Sequence, residues 1–151
     1  DGTQAGTVRV ADINPTGDSS PILTNVGGTL FFRANDGMNG AELWKSDGTE
    51  AGTVLVADIN PSGDSSPGFL TNVGGTLFFR ADDGMNGVEL WKSDGTQAGT
   101  VRVADINPTG DSSPILTNVG GTLFFRANDG MNGAELWKSD GTQAGTVLVA
   151  D

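Results

Sequence analysis

The sequence predicts an all-β fold, a β-propeller of four-stranded antiparallel blades of 46–47 residues. Three observations carry that prediction. Asp-Gly-Thr triplets begin at Asp1, Asp47, Asp94 and Asp140, at spacings of 46, 47 and 46 residues, and residues 1–46 return unchanged as 94–139. Within each unit the apolar runs are short and end at Gly, Asn or Asp, which favours strands over helices. Finally, side chains alternate along a strand, so the neighbours Phe31 and Phe32, like Leu43 and Trp44, must point to opposite faces. A small sheet with two apolar faces needs a neighbour on each side, and radially stacked blades supply one.

The elements follow in order. Val8 to Ala11 reads as an extra copy of a fourth strand, so residues 1–12 form a surplus strand with its loop. Blades are then expected over 13–58, 59–105 and 106–151. In the first, Ile22–Val26 is a strand after Pro21, Gly27-Gly28 a tight turn, and Thr29–Ala34 a second strand. Asn35–Gly40 is a hairpin loop with two glycines, Ala41–Lys45 the third strand, Ser46–Gly52 a turn, and Thr53–Ala57 the fourth strand. The middle unit differs by Glu50, Leu55, Ser62, Asp82 and Val88, and by an inserted Gly68 beside Pro67, where a loop is expected to absorb it.

Composition narrows the function classes. Twenty-four Gly and 6 Pro fit short strands between many turns, and no 18-residue apolar run is present to insert in a membrane. A net charge of −11 opposes nucleic acid and anionic lipid and favours cations or basic partners. With no Cys and no His, thiolate chemistry and the commonest general base and metal ligand are absent. The chain does not begin with Met and shows no signal segment, as expected of a mature or trimmed product.

Glu42-Leu43-Trp44-Lys45-Ser46-Asp47-Gly48-Thr49-Glu50-Ala51-Gly52-Thr53, with Gly28–Phe32 before it and Val54–Pro61 after it, resembles the E-L-W-x-x-D-G-T-x-x-G-T repeat of large bacterial surface and secreted proteins. The resemblance covers the whole chain. It implies a propeller-like fold and an extracellular or cell-surface setting, and it brings no catalytic residues with it. Internal identity this close is expected of a designed or consensus-derived sequence, or of a recently amplified gene.

Several residue sets invite a functional reading. Asp12, Asn14, Thr16 and Asp18 stand at alternate positions with Gly17 between the last two, as do Asp58, Asn60, Ser62 and Asp64, and Asp105, Asn107, Thr109 and Asp111. This resembles a calcium loop, although its fifth position is neutral and Leu23 stands where a bidentate Glu belongs. The alternative is a connection whose Asp and Asn side chains cap turns. Met38, Met85 and Met131 sit in hairpin loops that either meet a ligand or are explained by turn chemistry alone. Trp44, Trp91 and Trp137 either stack on sugars or, as their mid-strand places favour, pack between blades.

Arg33 and Glu42 are expected as a cross-strand ion pair rather than a catalytic couple. Because Glu42, Glu89 and Glu135 recur in every unit and no nucleophile–base constellation is visible, no enzyme is expected. The leading expectation is a non-catalytic scaffold that associates with itself. Three blades leave two apolar faces open, so a second copy would complete a six-bladed ring, and the surplus strand would add to another chain's sheet edge, join chains into a fibre, or hang loose. The rivals are a window of a longer propeller, a calcium-dependent module holding glycans or surface proteins, and, less favoured, a hydrolase.

Overall fold

A computed structural model describes residues 2–19 and 21–150. Asp1 and Asp151, the outer limits of the expected terminal segments, lie outside the described residues, as does Ser20. The described chain is all-β, with twelve strands and no helix. The first sheet contains β1 (Ile22–Val26), β2 (Thr29–Asn35), β3 (Ala41–Ser46) and β4 (Val54–Ala57). The middle sheet contains β5 (Gly68–Val73), β6 (Thr76–Asp82), β7 (Val88–Ser93) and β8 (Val101–Ala104). The last contains β9 (Ile115–Val119), β10 (Thr122–Asn128), β11 (Ala134–Ser139) and β12 (Val147–Ala150). Each is a four-stranded antiparallel meander with its strands paired in chain order.

Turn chemistry sets these boundaries. Gly27 and Gly28 both have positive φ, 60° and 89°, the combination a two-residue hairpin turn requires to match strand twist. In the β2–β3 loop the Asp36 carboxylate accepts from the Met38 and Asn39 amides at 2.9 and 2.8 Å, closing the turn locally and leaving Met38 exposed. The β3–β4 turn uses nearly every residue of its motif. Asp47 Oδ1 accepts from Thr49 N and Oγ1 at 2.9 and 2.7 Å, Thr49 Oγ1 accepts from Gly52 N at 2.9 Å, and Ser46 Oγ meets Thr53 Oγ1 at 2.8 Å. A Cβ on Gly52 would overlap the Asp47 carboxylate, which explains the glycine there.

The three sheets stack face to face. Phe31 and Leu43 of the first sheet share a core with Leu77, Phe79 and Ala81 of the middle one, with Trp91 packed against it. Phe78 and Leu90 of the middle sheet share a second core with Leu123, Phe125 and Ala127 of the last, with Trp137 against it. Adjacent Phe78 and Phe79 therefore enter different cores, as strand alternation demands. The first strands of neighbouring sheets lie side by side: Asn72 Nδ2 donates to Asn25 O at 3.2 Å and Asn118 Nδ2 to Asn72 O at 2.7 Å. Farther out, Lys45 Nζ donates to Gly95 O and Lys92 Nζ to Gly141 O, both at 2.8 Å.

Two expectations are corrected here. Val8–Ala11 forms no strand. Its sequence is that of β8, but β8 is held in the ladder by β7, and among the described residues Val8–Ala11 has no such partner. Gly68 is absorbed not by a loop but inside β5, where the register shifts between Gly68 and Thr71. The resulting bulge puts Phe69 at φ 53°, with the Arg80 guanidinium 4.7 Å above its ring.

Candidate functional site

The connection between the first two sheets closes over a buried carboxylate. Glu42 on β3 is fully buried, and its Oε2 accepts from Ile59 N at 2.8 Å and Ser65 Oγ at 2.5 Å while Oε1 accepts from Ser65 N at 2.9 Å. Asp64 of the same loop accepts from Ala41 N at 2.7 Å, and Ser65 O accepts from Asp82 N at 3.0 Å in the next sheet. The loop thus clamps β3 of one sheet to β6 of the next. Glu89 repeats the arrangement with Ile106 N at 2.9 Å, Ser112 Oγ at 2.7 Å and Ser112 N at 3.2 Å. Burial raises the pKa of both glutamates above the ordinary carboxylate value, against the lowering pull of the serine hydroxyls and loop amides.

Arg33 takes no part. It stands opposite Leu43, and Glu42 opposite Ala34, so Arg33 and Glu42 project from opposite faces of the sheet and the expected ion pair does not form. Sequence reasoning missed the true partners because they lie 17 and 23 residues farther on. The available signal was a Glu before every Leu-Trp pair, matched by a Ser-Ser pair in every connection that follows.

The oxygen-rich loops are built around their asparagines. Asn60 Oδ1 accepts from Ser62 N and Oγ at 3.2 and 2.9 Å, and its Nδ2 donates to Asp64 O at 3.3 Å. Asn107 does the same with Thr109 and Asp111, and Asn14 with Thr16 and Asp18. Asp111 accepts from Val88 N at 2.8 Å, as Asp64 does from Ala41 N. Asp12 pairs with Arg9 at 3.0 Å and Asp105 with Arg102 at 3.3 Å, whereas Asp58 follows Leu55 in place of that arginine; Asp58 and Asp105 each have one buried carboxylate oxygen without a partner among the described residues. Each loop gathers its own Asn, Thr or Ser, and Asp, and does not meet its counterparts in the other units. Among the described residues no three acidic side chains converge.

Trp91 and Trp137 pack between sheets, while Trp44 is half-buried on the outward face of the first sheet. All three indole N–H groups are buried without an acceptor among the described residues, so the rings are held by packing and not by their polar edge. Met38, Met85 and Met131 are exposed at the loop tips.

What distinguishes the two ends of the stack is position alone. Leu43 and Leu136 occupy equivalent places in identical 46-residue units, yet Leu43 is 0% exposed and Leu136 45%. Val149 is likewise 44% exposed where Val56 and Val103 are 6%. At the other end Val10, Ala11, Ile13, Pro21 and Leu23 line an open apolar groove over Phe32. No family model, no curated protein and no solved structure matches the chain.

Proposed function

We propose that this chain is a non-catalytic repeat scaffold that assembles head to tail, the last sheet of one copy stacking on the first sheet of another. One observation carries the reading. The face open on the last sheet belongs to the same unit as the face that the first sheet buries against the middle one, with Leu136 exposed in place of buried Leu43. An interface already formed twice within the chain thus has its two halves uncovered at opposite ends. Propellers close with about four to eight blades, and six is the multiple of three in that range, so two copies complete the ring with two identical junctions.

The glutamates support a structural role, since both oxygens of Glu42 are occupied by loop donors and no substrate could reach them without dismantling the clamp. Native mass spectrometry or light scattering tests the reading. The expected species has twice the 15.4 kDa chain mass. A monomer at every concentration refutes assembly, and a ladder of open polymers refutes closure.

A further inference from the structure

Resting on that head-to-tail reading, we propose that Glu135 and the Ile13–Ser19 loop of a second copy of this chain are the two halves of an intermolecular lock. The loop is preformed. Residues 12–19 repeat the sequence of 105–112, Asn14 makes the same turn bonds as Asn107, and Ser19 O accepts from Asn35 N at 3.2 Å as Ser112 O does from Asn128 N at 3.0 Å. It is therefore fixed to its downstream sheet as the two internal loops are. Its upstream side, which in those loops grips a buried glutamate, meets no such residue among the described ones.

The opposite end carries the matching features. Glu135 is only half-buried, and among the described residues no donor reaches it. A Cβ on Gly40 or Gly87 would strike Asp64 or Asp111 of the covering loop at 2.6 or 2.5 Å, but at Gly133 nothing lies within 4 Å. The turn glycines show the same contrast from the other end of the stack. Gly95 and Gly141 sit against the Phe31 and Phe78 rings, whereas Gly48 has nothing within 4 Å.

Stacking the last sheet of one copy on the first sheet of another closes all of these at once. Ile13 N, Ser19 N and Ser19 Oγ donate to Glu135, Asp18 accepts from Ala134 N, and Gly48 lies against Phe124. β12 already holds the outer edge of the last sheet, so Val8–Ala11 stays outside the ladder.

A double-mutant cycle tests the lock, using full-length Glu135→Ala, Ser19→Ala and their combination in sedimentation equilibrium. Glu135 and Ser19 stand at opposite ends of one chain, so coupling between them arises only between copies. The Kd of self-association is expected to rise roughly 10- to 100-fold for Glu135→Ala and by a smaller factor for Ser19→Ala, with the double variant no weaker than Glu135→Ala alone. Urea midpoints of the dilute variants should match the parent, in contrast to Glu42→Ala, which breaks a clamp inside each chain. If the parent associates but Glu135→Ala leaves its Kd within about twofold, or the two effects multiply as independent sites do, the lock is overturned while the assembly reading stands. A parent chain that never associates overturns both.

Discussion

Three leucines in equivalent positions allow the stacking to be measured without changing the chemistry of the perturbation. Leu43→Ala, Leu90→Ala and Leu136→Ala remove the same atoms from the same strand position, but Leu43 and Leu90 are 0% exposed and Leu136 is 45%. Deleting a fully buried leucine costs about 2–5 kcal/mol through lost transfer energy and the cavity left behind. At Leu136 roughly half the transfer term is missing and the open side leaves no closed cavity, so the cost in an isolated chain falls to about 1–2 kcal/mol. Urea unfolding followed by tryptophan fluorescence in dilute solution reads these values. In the proposed assembly a higher chain concentration would cover Leu136, and its truncation should then weaken association by a further factor of about 5–30. Equal costs for all three variants in dilute solution would refute the reasoning, because burial by a neighbouring sheet would then not be what separates them.

Four further predictions rest on individual positions. Gly40→Ala and Gly133→Ala both force alanine into a left-handed backbone at φ 77° and 86°, but only the first collides with the Asp64 loop, so it should lose more in thermal denaturation by at least about 1 kcal/mol. Because the folded pKa of Glu42 is raised by burial, the native state holds extra protons above the ordinary carboxylate value; its contribution is present at low pH and is lost as pH rises through the folded pKa. The cost of Glu42→Gln, measured by urea unfolding across pH 4 to 8, should therefore shrink as pH rises, and a cost that grows would contradict the assignment. Asp47, Asp94 and Asp140 behave oppositely, since Thr hydroxyls and amides lower their pKa, and the stability they supply is lost as pH falls below the ordinary carboxylate value. Deleting Gly68 restores the 46-residue unit and releases Phe69 from φ 53°, so the denaturant midpoint should hold or rise; a drop would mean that the Arg80–Phe69 contact outweighs the strain.

The strands were legible because their limits are written in adjacent residues. The Gly27-Gly28 pair fixes the first hairpin, and β1 runs Ile22–Val26 as read from sequence, while β2 and β3 each extend one residue farther, to Asn35 and Ser46. Two-sided burial was legible from Phe31-Phe32 for the same local reason. What escaped depended on distant partners. Val8–Ala11 has the composition of a strand, but a strand needs an edge to pair with, and among the described residues it meets none. Glu42 looked like a mate for Arg33 because both lie on paired strands. A one-residue difference in register places them on opposite faces, and the acceptor capacity of the glutamate is met by amides of a loop that composition marks only as polar.

Repetition separates two influences that are normally confounded. Residues 1–46 and 94–139 share every side chain and every local preference, so any difference between them in burial or bonding comes from what lies next to them. The turns that follow the two units, with their Asp47 and Asp140 networks, are alike although their neighbours differ, which places them under local control. Burial of Leu43 and occupation of Glu42 vary with the neighbour, which places them under stacking control. Stability in such an array is approximately a sum of unit terms and junction terms, and a chain of three sheets has two internal junctions and two open half-junctions. Joining two copies in a closed ring converts four half-junctions into two full ones while leaving each local turn untouched. Association of the kind proposed would therefore add junction energy at no conformational cost beyond fixing the partners, using surfaces equivalent to those packed at the two internal junctions.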